Sequence, residues 1–284
     1  MKNKKYEFTG ETISVSGVVL KRIRAIKAFN DVKKGELGGF IEKEDNLSHD
    51  GTAWVYDNAQ VFGNARVSED AFIWGNAWVL GNARIFGDAL IYGDTQISGD
   101  ARVYEFAQVY GATHIFGNAR IYGLAQVCGN ARICEDACVS GNARVSTLAW
   151  ICGNAHIFGN AWVSGGAHIS EDARVSGNAC VSGSAHVSGN ALIYGLTRIC
   201  GNARVSNNTN YMTIGPIGSR FDTTTFFKDA NNKIFVSCGC FLGSLEKFRK
   251  EVEKVHGVNT KYAKMYQAAA DLAEIQILCK EAGE

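Results

Sequence analysis

Proline is almost missing from this chain: Pro216 stands alone among 284 residues. Collagen-like and proline-rich linker architectures are thereby excluded, although glycine reaches 32 residues. Apolar runs of about eighteen residues, the length that suggests a membrane helix, are missing too, so no membrane partner is expected. An excess of one charge is also lacking. With 29 Lys+Arg against 28 Asp+Glu, the chain has no global character of a polyanion binder or an acidic nucleic-acid mimic. The opening MKNKKYEFTGET is charged and has no apolar segment, so no secretory signal is read there. Nine cysteines, an odd number, then fit a reducing cytoplasm and free thiols. Abundant glycine with almost no proline directs attention to repeats.

Residues 51–206 divide into 26 consecutive hexapeptides without an inserted or missing residue, such as GNARVS (63–68), GNARIF (81–86) and EDARVS (171–176). The third position is Ala except at Thr95, Thr113 and Thr197, and the fifth is always Val or Ile. Alternation places the Ala and the β-branched residue on one face of a very short strand. Most hexads begin with Gly-Asn, Gly-Asp or Glu-Asp, and Gly-Asn supplies a corner because both residues tolerate positive φ. Six residues per side and 18 per coil predict a three-sided solenoid whose interior is stacked Ala and Val/Ile. The pattern resembles the left-handed parallel β-helix of hexapeptide-repeat proteins. With coils about 4.8 Å apart, 26 sides make a prism roughly 40 Å long.

The flanks break the pattern. Residues 1–50 are expected to be an N-terminal β cap, because a solenoid end exposes unpaired backbone and apolar core. Residues 207–284 are expected to be a separate piece. FDTTTFFKDANNKIFVSCGCF (221–241) reads as a β-hairpin turning at 229–233. A helix capped by Ser244 and ended by Gly257 follows, then a second from about Thr260. The expected fold class is mainly β: a β-helix with an N-terminal cap and a C-terminal hairpin plus two helices.

The stretch LKRIRAIKAFNDVKKGELGGFIEKEDNLSHDGTAWVYDNA (20–59) resembles the opening of a hexapeptide-repeat family found in enterobacteria and phages, labelled acetyltransferase-like for its fold. IGPIGSR (214–220) with CGCFLG (238–243) resembles a small domain of phage proteins. These resemblances imply a phage or prophage origin, and hence the cytosol of the host cell. Solenoids of this kind usually form trimers.

Residues 18 apart stack in adjacent coils, which turns the sequence into a surface map. One column carries Trp54 and Phe72, with Trp74, Tyr92 and Tyr110 beside it, an aromatic patch expected to be covered by the cap or by a second copy. Another carries Arg66, Arg84, Arg102 and Arg120, next to Phe86, Tyr104 and Tyr122. That ladder reads either as a solvated row stacked on rings or as an anion site. A third carries His114, His168 and His186. His168 and His186 could supply two metal ligands with His156 of a neighbouring copy as a third, an arrangement that resembles γ-class carbonic anhydrases, but that class's ligand spacing is not reproduced and no partner acid is visible. Gly218, Ser219, Arg220, Thr223, Thr224 and Thr225 bring hydroxyls, backbone donors and one cation together, a candidate phosphate cradle.

No loop leaves the prism to wall a pocket, and no catalytic motif stands out. The leading expectation is therefore a non-enzymatic binding protein, an antagonist of host defence that occludes a host protein or sequesters a nucleotide signal. The alternatives are a trimeric, coenzyme A-dependent acyltransferase or γ-carbonic-anhydrase-like enzyme, and a structural virion component. The expected partners are copies of itself and a host protein or small anionic ligand; duplex DNA is disfavoured. No cofactor or metal is expected.

Overall fold

The computed structural model describes residues 4–278. The chain forms two compact units, one ending at Asn154 and one beginning at Ala155. Both carry coils of a β-solenoid, and the protein is mainly β.

In the first unit each hexad contributes a two-residue strand, and strands 18 residues apart pair in parallel. Trp54–Val55 pairs with Phe72–Ile73, Gln60–Val61 with Trp78–Val79, and Arg66–Val67 with Arg84–Ile85. These three registers are the three faces. The inward Ala and Val/Ile are fully buried, as at Ala53, Val55, Ala101 and Ile121. At two of the exceptions the Thr113 hydroxyl meets that of Thr95 at 3.3 Å, and Thr95 Oγ1 donates to the Tyr92 carbonyl at 2.9 Å, so the inward hydroxyls are satisfied.

The residue that opens each hexad sits at positive φ, as with Gly63 at 69° and Gly99 at 68°. Glu69, Glu105 and Glu135 occupy the same corner position at 57–58°. Their carboxylates accept the amide N–H of Gly87, Gly123 and Gly153, one coil on, at 2.9, 2.9 and 2.7 Å. A charge-assisted bond is worth about 1.5–3 kcal/mol, enough to offset a left-handed penalty of about 1–2 kcal/mol. The hexads that open with Glu are thus corners with a built-in compensation.

The N-terminal segment is a hairpin, Tyr6–Val15 with Val18–Ala25, followed by Leu37–Ile41. The last strand pairs antiparallel with the hairpin and parallel with Gln60–Val61. The cap therefore extends one solenoid face and occupies the edge that the first coil would leave open.

In the second unit the coils repeat the same registers, as His168–Ile169 on His186–Val187 and Trp162–Val163 on Cys180–Val181. Four antiparallel strands follow in sequential order: Tyr211–Ile217, Asp222–Lys228, Ile234–Cys238 and Phe241–Ser244. The expected turn is present, with Asp229 Oδ1 accepting the N–H groups of Asn231 and Lys233. The hairpin read from the sequence is the centre of a four-stranded sheet. Its outer strands escaped notice because Gly215-Pro216 and Gly243 interrupt the alternation. Helix α1, Leu245–His256, is capped by Ser244, whose Oγ accepts the Lys247 N–H, and ends at Gly257. Helix α2 spans Lys261–Leu278. Phe226, Val236, Phe248, Val252, Tyr266 and Ala270 form the core between sheet and helices.

Candidate functional site

The arginine ladder is in register: Arg66, Arg84, Arg102 and Arg120 pair in successive coils, all exposed. It stops at Cys138, which is buried. Alongside, the rings of Phe86, Tyr104 and Tyr122 stack almost parallel, with centroids 4.9 and 5.0 Å apart. The rings stack on one another; among the described residues, none lies beneath a guanidinium of this row. Burial in that stack raises the Tyr104 phenol, with Tyr122 adding to the effect. The face presents four fixed cations beside a rigid aromatic rail.

The aromatic column needs a correction at Trp54. That side chain is fully buried within the chain, with the rings of Phe29 and Tyr6 5.4 and 6.2 Å away and the Leu37–Ile41 strand against it. It belongs to the interior beneath the cap and has no surface to offer a second copy. Phe72, Trp74, Tyr92 and Tyr110 remain half-buried. Trp74, Tyr92 and Tyr110 stack at 5.0 and 4.8 Å.

His168 and His186 lie on adjacent coils with ring centroids 5.2 Å apart. Burial holds both imidazoles below the ordinary histidine range, and for His186 the Arg204 charge and His168 add to the depression. His114 lies instead in a hollow of about 280 Å³ with Gln96, Ser98, Phe116 and Arg132. Among the described residues, no three His, Cys, Asp or Glu side chains gather as a metal set.

The C-terminal candidates divide. Ser219 and Arg220 line a cleft of about 460 Å³ between the sheet and the helices. Thr224 does not: it is buried in its strand and its hydroxyl donates to Cys238 Sγ at 3.2 Å, so it is corrected from ligand group to sheet interior. Thr225 is likewise buried, its Oγ1 accepting the Arg198 N–H. The cleft adds residues that sequence spacing did not suggest, notably Asp222, Glu251, His256 and Tyr266. Tyr266 and His256 come from helices read only for their apolar stripes, and no local motif marks them.

Comparison with known proteins agrees with the architecture. The YdcK Beta solenoid repeat family matches residues 59–73, 95–111, 173–189 and 198–209, the last running three residues past the hexads. A protein of Escherichia coli (strain K12) named "Uncharacterized acetyltransferase YdcK" is 48% identical over 52 residues, which is 18% of this chain and 16% of that protein's length. The chain therefore matches well under a fifth of that relative. Among solved structures, a UDP-N-acetylglucosamine acyltransferase from Campylobacter jejuni matches at 18% identity, covering 60% of this chain and 71% of its own, with a TM-score of 0.27. A likeness at that score fixes neither function nor detailed geometry. Segments of the solenoid are thus similar to the repeats of that family. The leading functional expectation is corrected: the curated relative is named an acetyltransferase, which favours the acyl-transfer alternative over a non-enzymatic antagonist of host defence. In the structure, no described helix is long and apolar enough to cross a membrane.

Proposed function

We propose that the protein is an acyltransferase of the hexapeptide-repeat kind, working as a homotrimer. The observation that carries this reading is the 48% identity, over 52 residues, to a protein named an acetyltransferase. Acyl transfer from a thioester to an amine or hydroxyl needs a base that is neutral at the working pH. The half-buried His168–His186 pair, held below the ordinary histidine range by burial, meets that requirement. A solenoid face is nearly flat, so a second copy supplies the opposing wall. Phe72, Trp74, Tyr92 and Tyr110 are the apolar surface that such a copy covers. Taken by itself within the first unit, the row Arg66, Arg84, Arg102 and Arg120 offers planar forks to the phosphates of a coenzyme A donor.

The test is transfer of label from radioactive acetyl-coenzyme A to a panel of amines and sugars. Incorporation that depends on the protein supports the reading. Neither donor binding nor transfer to any acceptor overturns it.

Two expected results follow from the faces. Light scattering should give a trimer mass, and Trp74→Asp with Tyr92→Asp should reduce it to that of one chain; a monomeric wild type sinks the assembly. Arg102→Glu should leave folding intact, because the side chain is exposed and does not touch the Ala/Val interior. It should weaken donor binding at least tenfold, about 1.4 kcal/mol. Binding to the wild type should also weaken as salt is raised. Unchanged affinity in that variant would return the ladder to the status of a solvated face.

A further inference from the structure

We propose that the cleft between the C-terminal sheet and its helices binds a free α-amino acid with an apolar side chain. The proposal is independent of the acyl-transfer reading. The cleft holds about 460 Å³, the scale of a small-molecule pocket. Its floor is apolar: Phe241 and Phe248, with ring centroids 5.5 Å apart, and Val252 of α1, with the exposed Val255 also lining the cleft. Its rim is charged with both signs. Arg220 extends over the turn at Gly239, where an added Cβ would lie 3.5 Å from Nη1. Asp222, two residues on, begins the second strand of the sheet, and Glu251, paired with Lys254 at 3.2 Å, lines the cleft from α1. Among the described residues, neither Arg220 nor Asp222 is joined in an ion pair.

This charge pattern selects the ligand. A guanidinium suits a carboxylate fork. The Asp222 carboxylate, which has no ion pair among the described residues, would repel a phosphate dianion but would attract an ammonium. A molecule with carboxylate and ammonium on one carbon satisfies both Arg220 and Asp222, two residues apart in the chain, while its side chain enters the apolar floor. The inner wall is fixed: at Gly218, with φ of 73°, a Cβ would lie 1.8 Å from the Tyr266 hydroxyl oxygen, so only glycine lets that phenol reach the sheet. Burial pushes the Tyr266 phenol to about 12, so it stays neutral and does not repel a carboxylate. The His256 ring, with its centroid 5.7 Å from that of Tyr266, completes the wall.

The test is isothermal titration of the full chain with L-phenylalanine, and with phenethylamine and 3-phenylpropanoate as probes bearing one charge each. L-Phenylalanine should bind with a dissociation constant of about 1 mM or tighter, and each single-charge probe at least tenfold more weakly. Arg220→Gln should weaken L-phenylalanine and 3-phenylpropanoate, and Asp222→Asn should weaken L-phenylalanine and phenethylamine. Both positions are exposed, so the melting temperature should not move. Val255→Trp, also at an exposed position, should fill the cleft and abolish binding. The proposal is overturned if L-phenylalanine does not bind, if 3-phenylpropanoate binds equally well, if inorganic phosphate displaces the amino acid, or if both charge variants keep full affinity.

Discussion

Gly39→Val is expected to detach the N-terminal cap and to lower the urea midpoint by the equivalent of about 3 kcal/mol, the upper end of the usual overpacking range. The reason is space rather than torsion. Gly39 lies in the Leu37–Ile41 strand and its φ is outside the left-handed region, so any residue accepts its backbone. A Cβ there would meet the Ala59 carbonyl oxygen at 2.4 Å and Val55 Cγ1 at 2.8 Å. Backbone of the first coil cannot withdraw as a side-chain tip can. Its neighbour Gly38 is equally confined, with a Cβ 2.6 Å from the Val55 carbonyl oxygen and 2.8 Å from the Trp54 ring. Two consecutive glycines thus let a strand run flush against the solenoid and seal Trp54 inside. Limited proteolysis of the variant should clip the segment before residue 50 while the coils stay resistant. Gly201→Ala is the control. Its φ is 63° but no atom lies within 4 Å of an added Cβ, so only left-handed strain of about 1–2 kcal/mol is incurred. An unchanged midpoint for Gly39→Val, or equal losses for both, would show that close approach is not what holds the cap.

This contrast also marks where the sequence is legible. The hexad period alone places Ala101, Ile121 and their counterparts inside, because a two-residue strand has only two faces and one must be covered. The same period aligns Arg66 with Arg120 and His168 with His186, since a side chain cannot leave its column without an inserted residue. Trp54 was harder to read. Its column predicts an outward residue, and only the cap, whose glycines follow no period, turns it into interior. Thr224 is hard to read for a related reason: it shares its face of the strand with Phe226 but is buried there, its hydroxyl donating to Cys238 Sγ on the paired strand, and nothing in the local sequence reports that depth. The C-terminal cleft was half visible. Ser219 and Arg220 stand together in the sequence, whereas Glu251, His256 and Tyr266 reach the cleft from helices whose spacing reports burial and not which chemistry shares a wall.

Replacing His168 and His186 together with Asn is expected to lower acyl transfer by about 100- to 10,000-fold, the usual contribution of a general base. The pH dependence separates this from a structural effect. The imidazoles are held below the ordinary value of about 6.5, so the neutral, proton-accepting form persists into mildly acid solution. The rate should climb as pH rises through that lowered value and be flat at neutrality, whereas an unperturbed histidine would still be titrating near 6.5. Stability should follow the same groups. The unfolded chain takes up protons at the ordinary value and the folded chain only at a lower one. Their contribution is therefore fully present above about 6.5 and is lost as pH falls through the depressed folded values. Asn keeps a polar group of similar size without a proton to gain, so the double variant should lose this acid-side slope in the urea midpoint as well as the activity. A double variant that transfers acyl groups at the wild-type rate would remove the pair as the base and leave His114, beside Arg132 in its own hollow, as the next histidine to replace.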